Sequence, residues 1–298
     1  MKWFNSIIIF FMPLVPKPIV RLFSKRYVAG DKLDDAVNTV RELNSNNIVA
    51  TMDVLGESTT DENETHLYVE EYLRVLHIIE SENLSCNVSL KPTQLGMLID
   101  KELAFSNIRR IVQEAKKYSN FVRIDMEDSS CTTATIGIYQ RLRSEFDNIG
   151  IVLQAYMRRS IDDLIKLSQS SGNFRLCKGI YIEPRELAYK DPYLINENFA
   201  YLLETALKAG SYVGIATHDE KVVWHALRII EKLGLHNNDY EFQMLLGVDE
   251  QLRQILVKAG HRLRVYVPYG KRWYQYVMRR LKENPQIAIY VLKALFKK

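Results

Sequence analysis

The chain has 298 residues, 47% of them hydrophobic and 26% charged, with a net charge of +4. That length accommodates one large barrel or two smaller domains, and the composition is ordinary for a soluble globular protein. The charge is uneven: residues 1–30 carry Lys2, Lys17, Arg21, Lys25 and Arg26 with no acid, and residues 286–298 add Lys293, Lys297 and Lys298 with none. The middle of the chain is therefore net acidic, which argues against a nucleic-acid binder with a basic face. Three cysteines, Cys86, Cys131 and Cys177, lack metal-ligand spacing and fit a reducing compartment.

The N-terminal run "SIIIFFMPLVP" follows a single lysine and is broken by Pro13 and Pro16. It is too short to span a bilayer as a helix. No small-residue cleavage site follows closely, so it reads as a retained amphipathic arm. Basic, apolar termini of this kind suit attachment to an anionic membrane surface.

Short β-branched and apolar runs then recur. They are 47–57, 86–92, 121–128, 151–159, 174–184, 212–219, 240–247 and 262–270. Helical periodicity fills the gaps, as in "HLYVEEYLRVLHIIE" and "KVVWHALRIIEKLG". Starts fall roughly every 25–40 residues, the length of a βα unit. Eight strands alternating with helices predict a (β/α)₈ barrel over 47–285, preceded by a helical arm over 1–46 and followed by a basic amphipathic helix over 286–298. A G-x-G-x-x-G loop and a Walker A motif are both absent from the sequence, so any dinucleotide must be held another way.

In such a barrel, chemistry sits at the C-terminal ends of the strands. Those ends supply Asp53 and Glu57, then Lys91, then Asp125, Glu127 and Asp128. Gln154, Arg158 and Arg159 follow, then Arg175, Lys178, Tyr181 and Glu183, and after them Thr217, His218 and Asp219. Gln243 lies in strand 7, and Tyr266 and Tyr269 end strand 8. Converging charges of both signs need partners or a charged ligand.

Arg279 and Arg280 stand side by side on the last helix, where adjacent residues differ by about 100°. Arg280 is on the apolar side with Trp273 and Tyr276, and Arg279 can pair with Glu283 one turn later. Paired guanidinium groups recognise carboxylate or phosphate through bidentate hydrogen bonds. The residues alone thus point to a barrel enzyme acting on a small anion. A Schiff-base lyase using Lys91 or Lys178 stays open on this reading. A metal hydrolase is weakened, because only His218 of the six histidines ends a strand.

Eight motifs in order, from "YVAGDKLDDAV" through "SLKPTQLG", "VRIDMEDS", "VLQAYMRRS", "RLCKGIYIEP", "IATHD" and "FQMLLG" to "RVYVPYG…YVMRRLKENP", resemble the proline dehydrogenase family of flavin enzymes. They run from about Tyr27 to Pro285, the extent of the monofunctional bacterial form. The resemblance implies a distorted barrel whose last helix lies over the mouth, holding FAD without a Rossmann domain. It implies that Arg279, Arg280 and Lys91 grip the proline carboxylate, that Tyr181 and Tyr266 wall the ring pocket, that Asp125 orders Lys91, and that Glu283 orients the arginines. It further implies that Arg175 lies near the reactive flavin nitrogen, and that Gln154, Lys178, Gly179, Thr217 and His218 hold the cofactor.

The implied reaction is oxidation of L-proline to Δ1-pyrroline-5-carboxylate, with electrons passed to a membrane quinone. The product would go to a separate pyrroline-5-carboxylate dehydrogenase. The implied location is cytoplasmic, peripheral at the inner face of the cell membrane. Ile180, Ile182 and Cys177 depart from the family's usual residues in the "KGIY" region.

Overall fold

A computed structural model describes residues 20–21, 24–170 and 172–283, with the side chains of 170 and 279–283 outside that description. Of the expected arm over 1–46, residues 1–19 and 22–23 lie outside the described residues, as does the expected C-terminal helix over 286–298.

Helix α1 (Leu33–Ser45) leads into β1 (Val49–Val54), α2 (Glu62–Ser81), β2 (Cys86–Leu90), α3 (Lys101–Lys117) and β3 (Val122–Ile124). Then come α4 (Ser129–Arg143), β4 (Ile149–Gln154), α5 (Ser160–Leu167), β5 (Asn173–Cys177), α6 (Pro192–Lys208) and β6 (Tyr212–Ala216). The chain continues through α7 (Glu220–Leu233), β7 (Tyr240–Leu245), α8 (Glu250–Lys258), β8 (Leu263–Tyr269) and α9 (Trp273–Glu283). The strands pair in parallel, each with the next, and β8 closes on β1 with Val49 opposite Arg264 and Val54 opposite Tyr269. This is the (β/α)₈ barrel that the strand count predicts.

Each strand divides by period two. One face, for example Ala50, Met52 and Val54 or Val88 and Leu90, joins the apolar layer shared with the helices. Each helix supplies the matching stripe: in α1 it is Leu33, Ala36, Val37, Val40 and Leu43. The helices start cleanly because an aspartate caps most of them. Asp61, Asp100, Asp128, Asp191, Asp219 and Asp249 each accept a backbone N–H in the first turn of α2, α3, α4, α6, α7 and α8.

The ring of outer helices is offset by one. Helix α1 packs on β8 and β1, the place a helix after β8 would take in a regular barrel. That releases α9 to cross the mouth, where Arg272, Gln275 and Tyr276 line a cleft with Leu55, Gly56, Glu57 and Lys91. The segment before α1 follows the same rim: Ala29 N donates to Pro268 O and Gly270 N to Gly30 O, both at 2.9 Å. Arg21 stacks on Trp273 of α9, 4.7 Å from the ring centroid.

Strand β5 is shorter than the 174–184 run suggests. It stops at Cys177 because Gly179 turns the backbone to φ +105°, and residues 178–191 form a loop from which Ile182 projects fully into solvent. A side chain at 179 would also collide with the Tyr156 ring, 2.1 Å from its Cβ position. Tyr269 also departs from expectation. It lies three residues after Tyr266, hence on the other strand face, and donates to Glu71 Oε1 of α2 at 2.8 Å instead of entering the mouth.

The inner face is polar where barrels of this class usually carry branched apolar layers. Glu241 accepts from Arg264 Nε at 2.6 Å and Nη2 at 3.1 Å, and Arg264 Nη1 donates to Ala50 O at 2.5 Å. Arg123 donates to Asn173 O at 2.7 Å and Ile151 O at 3.1 Å. Gly150 makes room for it, since a Cβ there would lie 2.3 Å from Arg123 Nη1. Burial, reinforced by Arg175 nearby, brings Arg123 down to about 9.

Burial alone would raise the Glu241 carboxyl, but Arg264 beside it outweighs that and holds it at about 2, against an ordinary 4.5. A depressed carboxyl stabilises the fold above its unfolded pKa, and that stability is lost as pH falls through the folded value. Chemical denaturation at successive pH values should therefore show a loss on the order of 3 kcal/mol from this group between about pH 4.5 and 2. Glu241→Gln should be less stable than the parent at pH 7, and its curve should be flatter in that window.

Candidate active site

Five strands bring six side chains into one hydrogen-bonded group at the mouth. Lys91, just past β2, donates to Asp53 Oδ1 of β1 at 2.9 Å and to the Tyr266 hydroxyl of β8 at 3.2 Å. Its ammonium also lies 3.5 Å from Asp125 Oδ2, just past β3. Tyr266 donates its hydroxyl proton to Asp125 Oδ2 at 3.0 Å. The other Asp125 oxygen, Oδ1, accepts from Ser89 Oγ of β2 and from Arg175 Nη1 of β5, each at 2.6 Å. Arg175 lies 5.3 Å from the Tyr266 ring centroid, close enough for a cation–π contact.

The protonation states follow from the neighbours. Burial would push the Lys91 ammonium down, but the Asp53 and Asp125 carboxylates overcome it and hold its pKa well above the ordinary lysine value. For Asp125, burial pushes up, but Arg175 and Lys91, with hydrogen bonds from Ser89 and Tyr266, bring the net shift below the usual carboxylate range. Asp53 is fully buried, and burial lifts its carboxyl, with Lys91 offsetting only part of the rise. Tyr266 is raised well above an ordinary phenol by burial, with Asp125 and Asp53 adding to it, so it remains a neutral donor. Lys91 is thus a fixed cation, with no free electron pair for nucleophilic attack.

Two further anchors hold the same rim. Glu127 accepts from Thr93 N at 2.9 Å and Thr93 Oγ1 at 2.5 Å, tying the turn after Lys91 to β3. Burial raises the Glu127 carboxyl to about 7, the Thr93 hydrogen bonds opposing it. Glu183 accepts from Ser129 N at 2.7 Å and Ser129 Oγ at 2.6 Å, fixing the 178–191 loop to the start of α4.

The residues expected to hold a cofactor lie on the β4–β6 side. Gln154 is buried and donates through Nε2 to Glu127 O at 2.8 Å. Lys178, one third exposed at the end of β5, pairs with Asp219 Oδ2 at 2.5 Å. Thr217 Oγ1 accepts from Asp219 N at 3.1 Å, and His218 Nε2 accepts from Leu245 N at 3.1 Å. Tyr181 is half-buried in the loop that follows Gly179. Arg279, Arg280 and Glu283 fall on α9, and their side chains lie outside the described residues.

Ser89 is the member of this constellation that the sequence reading did not name, and Asp53 was named at a strand end without a role. A signal for Ser89 was present, since it lies two residues before Lys91 and shares its strand face.

Comparison with known proteins follows the same lines. The profile of the proline dehydrogenase family matches residues 36–291. Proline dehydrogenase 1 of Bacillus subtilis (strain 168) is 38% identical over 278 residues, covering 93% of this chain and 92% of that protein. Proline dehydrogenase of Deinococcus radiodurans is 33% identical over 279 residues, covering 92% of this chain and 90% of that one. Among solved structures, proline utilization A (PutA) from Bdellovibrio bacteriovorus, inactivated by N-propargylglycine, superposes with a TM-score of 0.83 at 25% identity. The match covers 88% of this chain and 32% of that chain, so this chain spans about a third of its length.

Removing Lys91 should expose how strongly the two acids rely on it. Lys91→Met leaves Asp53 and Asp125 buried without their shared cation, a change on the order of 3–5 kcal/mol. Thermal and urea unfolding should register that loss. The double variant with Asp53→Asn should recover part of it, and no recovery would mean that the acids do not depend on Lys91.

Proposed function

The chain belongs to the proline dehydrogenase family, and on that premise we propose that it oxidises L-proline to Δ1-pyrroline-5-carboxylate with FAD as cofactor. The observation that carries this reading is the Lys91 ammonium, fixed among Asp53, Asp125 and Tyr266 and facing the cleft beneath α9. A permanent cation there suits a substrate carboxylate, and α9 carries Arg279 and Arg280 over the same mouth.

The donor set fits FAD. Arg175 and Lys178 place two cations three residues apart at the end of β5, beside the Gln154 amide and the polar pair Thr217 and His218. Lys178 meets a carboxylate, that of Asp219, with which a phosphate oxygen of the cofactor would compete. Gln154, Arg175, Lys178, Gly179, Thr217 and His218 would hold the group. Bound there, FAD would supply the two-electron acceptor for the C5 hydrogen of proline.

The protein's own work is orientation and charge. Lys91, Arg279 and Arg280 grip the carboxylate, with Asp125 ordering Lys91 and Glu283 orienting the arginine pair. Tyr181 and Tyr266 bound the ring. The cations around the substrate lower the pKa of its ring amine, so that nitrogen carries an electron pair at neutral pH. Lys91 keeps its own proton on Nζ. That state, together with the Lys178–Asp219 pair, weighs against the Schiff-base lyase reading, which needs an unprotonated lysine. Electrons leave to a membrane quinone, and a separate pyrroline-5-carboxylate dehydrogenase takes the product.

Anaerobic addition of L-proline should bleach the absorbance of the FAD-loaded protein. In Arg279→Met and Arg280→Met, KM for proline should rise at least tenfold, about 1.4 kcal/mol of binding, with FAD content unchanged. An unbleached spectrum would overturn the assignment, and an unchanged KM in both variants would remove the arginine clamp.

The basic, apolar termini (1–20 and 286–298) would bring the enzyme to the bilayer that holds the quinone, placing it at the inner face of the cell membrane. Among the described residues no helix is long and apolar enough to cross a membrane. Full-length protein should co-sediment with anionic liposomes, and deletion of both segments should abolish it. Equal sedimentation of the truncated chain would sink this placement.

A further inference from the structure

Beneath Asp125 and Arg175 the inner face of the barrel continues as a chain of hydrogen bonds that the reaction scheme does not use. Arg175 Nε donates to Gln243 Oε1 at 2.6 Å. Gln243 Nε2 donates to Glu241 Oε1 at 2.6 Å. Glu241 is in turn held by Arg264, at 2.6 Å from Nε. Every member is buried.

The chemistry of the two ends locks the middle. A guanidinium only donates, and an ionised carboxylate only accepts. The Gln243 amide must therefore turn its oxygen to Arg175 and its nitrogen to Glu241, and Arg264 keeps Glu241 ionised. The seat for the amide is cut into β6: a Cβ on Gly214 would lie 2.3 Å from Gln243 Nε2 and 2.7 Å from Cδ. Arg175 is thus pinned twice, at Nε by Gln243 and at Nη1 by Asp125 and Ser89. Among the described residues Nη2 takes no hydrogen-bond partner, which leaves it the arm available to a ligand.

We propose that Gln243 and Glu241 are positioning residues for the oxidation: acting from below, they fix the Arg175 guanidinium so that Nη2 faces the flavin ring in one orientation. This rests on the FAD-dependent reading given above. A guanidinium held in place stabilises the negative charge that the ring system gains on reduction, whereas one that must reorient stabilises it less. The relay thus acts on electron transfer more than on proline binding, because Lys91 grips the carboxylate without it.

Two substitutions that leave charge unchanged isolate the orientation. Gln243→Met keeps length but removes both hydrogen bonds. Gly214→Ala changes no member of the relay but forces the Gln243 amide out of its seat. In each FAD-loaded variant the reduction equilibrium of the bound flavin should fall at least tenfold, a midpoint about 30 mV more negative. The rate constant kcat should fall about tenfold, while the dissociation constant of the ring-oxygen analogue of proline should change less than about threefold. A purely structural role would lower the melting temperature and leave the potential alone. A wild-type potential in either folded, FAD-loaded variant overturns the proposal. Failure of L-proline to reduce the wild-type holoprotein instead overturns the reading on which it rests.

Discussion

The interaction on which the rest depends is the pair of ion pairs that Asp125 makes with Arg175 and Lys91. A closed barrel offers its interior no water, so a charge placed on an inward strand position must find its partner across the lumen. Asp125 does so in both directions. One oxygen takes Arg175 and Ser89, and the other takes Tyr266 with Lys91 at 3.5 Å. Without it, two cations would face each other over an uncharged gap. From that hub the ionic column runs down through Gln243 and Glu241 to Arg264 and up to Asp53. The buried charges of the inner face, Lys91, Arg123, Arg175 and Arg264 against Asp53, Asp125, Glu127 and Glu241, balance four against four when all are ionised.

The column also explains where the barrel contains glycine. Gly150 and Gly214 lie on inward strand positions at which a methyl group would occupy the space of Arg123 and of the Gln243 amide. Long polar side chains fill the lumen from one strand only if the facing strand gives way. The shape of the core is set here by hydrogen-bond geometry, and the apolar packing lies outside the sheet, between strands and helices. The mouth has its own cause. Because α1 covers β8 and β1, α9 is free to cross the opening, and Arg272, just before α9, reaches Glu64 of α2 on the far side of the cleft.

A fixed cation, a neutral phenol and an ionised acid within one hydrogen-bonded group describe a site that holds and orients, in contrast to one that exchanges protons with its substrate. Its contribution is the placement of charge at the mouth. The Lys178–Asp219 ion pair carries charge on to the rim.

Much of this was legible before any coordinate. Strand count, the aspartates that open the helices, and the charged residues at strand ends are local properties, written in propensity, capping chemistry and period two. Lys91 and Asp125 follow apolar strands directly and Arg175 and Tyr266 interrupt them, which marked all four as polar residues of the strand ends. The sequence did not reveal which charge meets which. Lys91 and Tyr266 are 175 positions apart, Arg264 and Ala50 are 214, and their meeting depends on barrel closure and on the stagger between strands. Nor could phase alone show that Asp53 lies wholly out of water, that Gly179 ends β5, or that α1 takes the place of the eighth outer helix. What the sequence determined by itself is the alternation of elements and the face each side chain takes, since both follow from neighbours a few residues away. What the tertiary structure alone decided is the pairing of the buried charges, because a charge inside a closed sheet is satisfied by whatever the shear of the barrel brings opposite it.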